Sequence, residues 1–220
     1  MIVTAGPTFE SLDQVRRLTN FSTGRLGCEL AGYLTAWGCE VTLLLGEQAT
    51  YRGERQARTV AQFTTTASLR EQLHALSSKP FGAIFHAAAV SDFAFGKIWA
   101  RTVQGSLMEV TGGKLPTRQG SLLAELIPTP KILGELRKWF PQAILVGWKY
   151  EVEGNRAEVL RLAETQIAEC QTDACAANGA AYGPGFGLVR PGGKCTHAAD
   201  VLALFGQLEA LLAESTGKSP

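Results

Sequence analysis

The chain has 220 residues, 45 % of them apolar, and its 21 Lys and Arg nearly balance 20 Asp and Glu, for a net charge of +1. That balance excludes a disordered polyelectrolyte and a protein that grips nucleic acid by net charge alone, and the length suits one α/β domain with a substantial core. No stretch approaches the roughly 18 consecutive apolar residues of a membrane span, so neither a membrane nor a nucleic acid is expected as a partner.

Residues 2–5 form a short apolar run with no basic region before it, which reads as a buried strand rather than a leader. Chain order then gives a helix over 24–37, a strand over 40–45, a helix over 68–76 and a central strand over 83–88. Further on come a helix over 130–139, a strand over 143–147, a helix over 156–169 and a strand over 174–177. Such alternation is the pattern of an α/β protein: a Rossmann-like, open, mostly parallel sheet with helices on both faces. Between 95 and 127 the rhythm breaks, and 106–111 and 121–127 read as two strands of a hairpin or flap around Gly112, Gly113 and Lys114. A strand over 186–190, a turn at Gly192–Gly193–Lys194 and a helix over 200–213 close a single domain of residues 1–214. Residues 215–220 form a polar tail expected to fray.

Five cysteines, Cys28, Cys39, Cys170, Cys175 and Cys195, are an odd number with no C-x-x-C pair. This argues against a zinc ribbon or a disulfide scaffold and for a cytoplasmic protein, with Cys28 a packed core thiol. The 24 glycines are about 11 % of the chain where about 7 % is usual, and they sit between hydrophobic runs. At Gly6, Gly24, Gly27, Gly113, Gly147 and Gly179 the expectation is a backbone that bends around a ligand or approaches it closely.

Ligands of open α/β sheets bind beyond the carboxyl ends of the strands, so the residues after each strand are the candidates. After the first strand stand Gly6, a long loop with Arg16, then Asn20, Ser22, Thr23 and Gly24 at a helix entrance, where a hydroxyl cap and an anion site are equally compatible with the residues. After the central strand stand Ala87, Ala88 and Ala89, small enough for close approach, and Asp92, a candidate for a hydroxyl or a magnesium ion. His86 reads as a strand residue with a satisfied hydrogen bond. Lys114 offers a cation where phosphate charge develops, and Pro130 at a first helical position leaves the N–H groups of Lys131 and Ile132 facing an anion. Trp148, Lys149 and Asn178 follow later strands. Walker A, G-x-S-x-G and H-E-x-x-H sequences are absent.

Together these segments resemble the phosphopantothenoylcysteine synthetase family. The pieces are Thr4-Ala5-Gly6-Pro7-Thr8-x-Glu10, then Leu12-Asp13-x-Val15-Arg16-x-Leu18-Thr19-Asn20-x-Ser22-Thr23-Gly24, and Ala87 to Phe93. Gly113-Lys114-Leu115, Pro128 to Leu133, Val146-Gly147-Trp148 and Ala177-Asn178 complete the set, collinear from residue 4 to about 190. The resemblance implies a ligase that activates the carboxylate of 4′-phosphopantothenate as an acyl-nucleotidyl anhydride, releasing pyrophosphate, and then condenses it with cysteine. It implies CTP or ATP as co-substrate, with magnesium held mainly through the triphosphate and Asp92 its one protein candidate. It also implies a homodimer, and the length suggests a synthetase without the decarboxylase to which bacterial members are often fused.

Carried over residue by residue, Asn20, Lys114 and Arg16 are the catalytic candidates. Gly6, Ala87, Ala88, Asp92, Lys114, Pro130, Lys131, Ile132, Leu133, Trp148 and Lys149 are nucleotide-binding; Asn20, Ser22, Thr23, Gly24, Ala89 and Asn178 are substrate-binding. Trp148 stands where bacterial members commonly have Phe, and Gln166 and Cys170 align with their nucleotide-binding lysines, so CTP and ATP both remain open. Lys97 competes with Lys114 for the flap role. Lys114 is preferred because the Pro-Thr-Pro-Lys segment follows it at the family's short distance, which makes 97–113 an insertion. Two other readings stand beside the ligase: a Rossmann-type NAD(P) oxidoreductase, disfavoured by the lack of G-x-G-x-x-G, and a non-catalytic nucleotide- or flavin-binding relative.

Overall fold

The computed structural model describes residues 1–116 and 120–215. Apart from Ser215, the tail expected to fray lies outside the described residues.

The centre is an eight-stranded sheet. Its parallel part comprises β1 (Ile2–Ala5), β4 (Thr42–Gly46), β5 (Thr59–Phe63), β6 (Ala83–His86), β10 (Ile144–Tyr150) and β11 (Ala174–Asn178). Two antiparallel strands, β12 (Phe186–Arg190) and β13 (Lys194–Ala198), extend one edge, so the order is β13-β12-β11-β10-β6-β1-β4-β5. The two-residue period of a strand divides the apolar runs between two cores. Val3, Ala5, Leu43, Leu45, Phe85 and Val146 face α1 (Arg25–Ala36) and α5 (Val201–Ser215), whereas Ile2, Leu44, Ile84 and Leu145 face α2 (Thr66–Leu76) and α3 (Ile132–Trp139). A third cluster joins α4 (Arg156–Cys170) to β11 and β12 through Val159, Ala163, Cys175 and Val189. Strands covered on both faces are mostly apolar, which is why they read as near-continuous hydrophobic runs; the buried Thr4 and His86 are hydrogen-bonded exceptions.

Three accessory elements depart from the expectation. The supposed loop after β1 contains a hairpin, β2 (Phe9–Ser11) with β3 (Arg17–Thr19). The flap is not a simple hairpin: β8 (Leu107–Glu109) and β9 (Leu122–Pro128) both pair with β7 (Phe93–Arg101), which lies between them. A register shift between Phe95 and Ile98 breaks the alternation of β7, so no clean period marks it in the sequence. β5 and β13 are edge strands with exposed polar positions and were equally inconspicuous.

Two helix starts also differ from expectation. Gly24, not a serine or threonine, is the N-cap of α1, with a φ of 81° and no side-chain cap bond. The hydroxyl of Thr23 instead accepts from the N–H of Arg25 at 3.3 Å. Pro130 precedes the α3 N-cap, which is Lys131, again without a side-chain cap. By contrast α4 starts with a full capping box, Asn155 with Glu158, worth about 1 kcal/mol.

Candidate functional site

The order of the sheet reverses at β1, which has β6 on one side and β4 on the other. At such a point the loops leaving adjacent strands part to opposite faces and open a crevice. Here the loops after β1 and β6 remain tied: the N–H of Ala89 donates to the carbonyl of Gly6 (2.9 Å) and that of Thr8 to the carbonyl of Ala89 (3.1 Å). Below them, buried hydroxyls set the floor. Thr8 Oγ1 accepts from the N–H of Ser91 (2.8 Å) and donates to Ser91 Oγ (3.2 Å), while Thr4 Oγ1 accepts from the N–H of Ala88 at 3.1 Å. His86 Nδ1 lies 3.0 Å from Thr4 Oγ1, and complete burial lowers its pKa to about 4, so the imidazole is neutral and structural.

Gly6 and Gly24 adopt positive φ angles of 80° and 81° and face each other; a Cβ on Gly24 would come within 3.3 Å of the Gly6 backbone. Their pairing lets the N-terminus of α1 come down to the end of β1. Around that N-terminus lies a cleft of about 370 Å³ lined by Ser22, Thr23, Gly24, Ala87, Asn178 and Phe186. Five residues picked from the sequence, Ser22, Thr23, Gly24, Ala87 and Asn178, are therefore brought together from three loops. Small residues and the start of α1 form one part of the lining, and Arg25, ion-paired with Glu29, adds a cation and a carboxylate; a helix N-terminus favours an anionic group. Phe186 and Val201, which also line it, come from the antiparallel edge and α5, and no local motif marks them.

Asn20 follows the hairpin, and its Nδ2 donates to the Ala89 carbonyl at 3.0 Å, holding its amide over the end of β6. The indole of Trp148 packs against the core on the α1 and α5 side, and its Nε1 is buried without a hydrogen-bond partner in the described structure. The next residue points the other way by strand alternation, and Lys149 forms an ion pair with Glu151 at 3.0 Å.

On the opposite face of the sheet, the free N-terminus of α3 adjoins an ion pair between Lys131 and Asp92, both largely exposed. The Thr129 N–H donates to the Asp92 carbonyl (3.0 Å), which fixes this pair beside the Ser91 network. Gln166 reaches Cys175 Sγ at 3.3 Å, and burial pushes the Cys175 thiol up to about 12, so this thiol is an inert packing group. Cys28 is buried in the first core, and burial raises its pKa as well.

Lys114 is exposed and has no ion-pair partner among the described residues, whereas Lys97 is engaged by Glu109 at 3.2 Å. Arg16 is bound by structure rather than left free: its Nε and Nη2 donate to Asp13, at 3.0 and 2.5 Å, and Nη2 also donates to the Leu115 carbonyl at 2.8 Å. Several glycines likewise serve packing. A Cβ on Gly147 would meet Gln166 and Leu133, and one on Gly179 would meet the Glu151 backbone, at 2.2 to 2.9 Å. Among the described residues, no group of three or more His, Cys, Asp or Glu side chains is positioned to hold a metal ion.

Fold and cleft define an open-sheet α/β protein with a candidate ligand site at its topological switch point, between helix starts whose N-cap residues, Gly24 and Lys131, make no side-chain cap bond. More particularly, the chain belongs to the DNA/pantothenate metabolism flavoprotein C-terminal domain family, whose profile matches residues 1–193. It is 31 % identical over 186 residues to the coenzyme A biosynthesis bifunctional protein CoaBC of Thermococcus kodakarensis, covering 81 % of this chain and 40 % of that protein. The chain thus spans about two-fifths of that relative's length. Among solved structures, the DNA/pantothenate metabolism flavoprotein of Streptococcus pneumoniae superposes with a TM-score of 0.77 at 23 % identity, covering 96 % of this chain and 98 % of that one. A Cab2 mutant in complex with phosphopantothenate-cysteine gives 0.74 at 19 % identity, covering 98 % and 87 %. These two likenesses concern the fold. Among the described residues no helix is long and apolar enough to cross a membrane.

Proposed function

We propose that this chain is a phosphopantothenate–cysteine ligase acting in coenzyme A biosynthesis in the cytoplasm. The carboxylate of 4′-phosphopantothenate attacks the α-phosphorus of CTP or ATP, the bond to the β-phosphate oxygen breaks and pyrophosphate leaves. The amine of cysteine then attacks the acyl carbon, loses a proton, and nucleoside monophosphate departs with the electron pair of the acyl–oxygen bond.

The observation that carries this reading is the convergence of Asn20, Ala87, Ala89 and Gly24 at the end of β1 and β6, from segments whose order matches the family motifs. In this reading Asn20, Ser22, Thr23, Gly24, Ala89 and Asn178 hold the acyl substrate. Gly6, Ala87, Ala88 and the α3 entrance from Pro130 to Leu133 receive the nucleotide, with Trp148 and Lys149 beside it. Phosphate displaces Asp92 from Lys131, which frees that ammonium for the triphosphate. Lys114, without an ion-pair partner among the described residues, stabilises the charge that develops as the anhydride forms and breaks. Arg16 contributes by holding the Lys114 segment.

Magnesium fits as a companion of the triphosphate. Among the described residues Asp92 belongs to no group of three or more His, Cys, Asp or Glu side chains that could hold a metal ion, which suits an ion carried mainly by phosphates. The homodimer is supported by apolar side chains exposed on the accessory layer: Val15, Leu18 and a fully exposed Phe21 on and beside the hairpin, and Phe93, Leu126 and Ile127 on the three-stranded sheet.

The test is pyrophosphate release from purified protein with phosphopantothenate, cysteine, magnesium and either CTP or ATP. Release that depends on both acid and nucleotide, with formation of phosphopantothenoylcysteine, is expected. Saturable nucleotide binding with no release from either nucleotide would reject the ligase.

A further inference from the structure

The β2–β3 hairpin joins two parts of the proposed site. Asn20 lies one residue beyond its second strand, and its turn, residues 12–16, meets the segment that carries Lys114. At this junction the Asp13 side chain is only 1 % exposed. It accepts from the N–H of Val15 (2.9 Å), the N–H of Arg16 (2.7 Å), the Arg16 guanidinium, and the N–H of Leu115 (3.1 Å), a residue 102 positions away. Two more bonds complete the junction: the N–H of Gln14 donates to the Gly113 carbonyl at 3.0 Å, and Arg16 donates to the Leu115 carbonyl at 2.8 Å. Lys114 is therefore bracketed, with Gly113 tied on one side and both backbone groups of Leu115 tied on the other. Leu115 itself is buried, at 3 % exposure.

Nothing in this junction touches the cleft, yet it fixes the backbone on either side of the one lysine assigned to the developing charge. A mobile arm would have to lose conformational freedom at each turnover; a clamped segment has already lost it. We infer that Asp13 is a positioning residue: its carboxylate, shared between Arg16 and Leu115, sets Lys114 relative to Asn20 by tying the Lys114 segment to the hairpin that leads into Asn20. The inference rests on the ligase reading for its catalytic consequence and on geometry alone for the clamp.

Hydrogen bonding from Arg16 holds the Asp13 carboxyl well below the usual carboxylate range, so the junction keeps its charge throughout neutral and mildly acidic pH. A carboxylate that accepts from two guanidinium nitrogens and three backbone N–H groups cannot be replaced by an amide without leaving donors facing donors.

Asp13→Asn is the test, with two independent readouts. In hydrogen-exchange mass spectrometry, peptides covering 112–116 and 12–16 lose protection while those of β1, β6 and β10 keep theirs. In the ligase assay, kcat falls about 10- to 100-fold, the range expected for roughly 1 Å of misplacement. KM for the nucleotide and the acid moves by less than about threefold. Unchanged exchange at 112–116 overturns the clamp whatever the activity. Lost protection with undiminished kcat overturns the positioning role. If the wild type itself releases no pyrophosphate, the ligase reading fails and the exchange result still decides the clamp. Should Asp13→Asn not fold, Arg16→Lys, which keeps the charge but loses the fork reaching both Asp13 and Leu115, is read by the same criteria.

Discussion

The eight-stranded sheet and the accessory layer hold their functional residues by different forces. At the sheet's carboxyl edge, Ala87, Ala88 and Gly24 sit at the ends of elements whose apolar faces are fully buried, and their positions follow from packing on both sides. The hairpin and the three-stranded sheet expose most of their side chains, bury little, and place Asn20 and Lys114 through single hydrogen bonds and the Asp13 junction. Burial is spread over many contacts and tolerates small errors. A polar junction depends on a few directional bonds, so its failure is local and leaves the fold standing.

This contrast can be broken from either side. Lys114→Gln is expected to have the largest effect, a loss of turnover of at least about 10³-fold with the unfolding transition unchanged, measured by pyrophosphate release and urea denaturation. Normal turnover in that variant would return the role to Lys97 or remove it from the flap altogether. On the sheet side, Gly27→Val should destabilise by roughly 3 kcal/mol, because even a Cβ at Gly27 would approach Ala5 Cβ to 2.5 Å and neither backbone can retreat. The urea midpoint reads this directly, and a wild-type midpoint would mean that α1 does not press on β1 as described.

His86 tests the same core through pH. Its folded pKa, about 4, lies below the ordinary value of 6.5, so the unfolded chain takes up a proton that the folded protein refuses. Its contribution is fully present above pH 6.5 and is lost as pH falls towards 4, by roughly 3 kcal/mol in total. Stability measured between those limits should be less steep in His86→Asn than in the wild type; equal slopes would place the acid sensitivity elsewhere. Asn20→Ala, on the accessory side, should lower kcat/KM about 10- to 100-fold and alter stability by less than about 0.5 kcal/mol, since Asn20 is exposed and forms one bond, to Ala89. A large loss of stability in that variant would move Asn20 from the site into the framework.

The same contrast governs what could be read from the residues in advance. β1, β6, β10 and β11 were legible because a doubly covered parallel strand is mostly apolar. The flap topology was not, since β7 carries a register shift that scrambles its alternation, and β2 and β3 are three residues each. Among the three small residues after the central strand, Ala87 lines the cleft. The helix starts were misjudged because Ser22, Thr23 and Pro130 have the right chemistry for a cap or a first turn, while the backbone of Gly24 and Lys131 took those places. Phe186 carried no local signal, and although Asp13 stands in a family motif beside its partner Arg16, its bond to Leu115 joins residues far apart in the chain.

Taken alone, the sequence determined the alternating α/β architecture and the segments that end at the carboxyl edge. These are consequences of local periodicity, of side-chain size and of the need to bury apolar surface. Only the tertiary structure decided that Lys97 is paired while Lys114 has no ion-pair partner among the described residues, that Arg16 is committed to Asp13 and Leu115, and that His86 is buried and neutral. Charge and hydrogen bonding depend on distance and burial between residues remote in the chain, and neither is encoded in the spacing of the residues themselves.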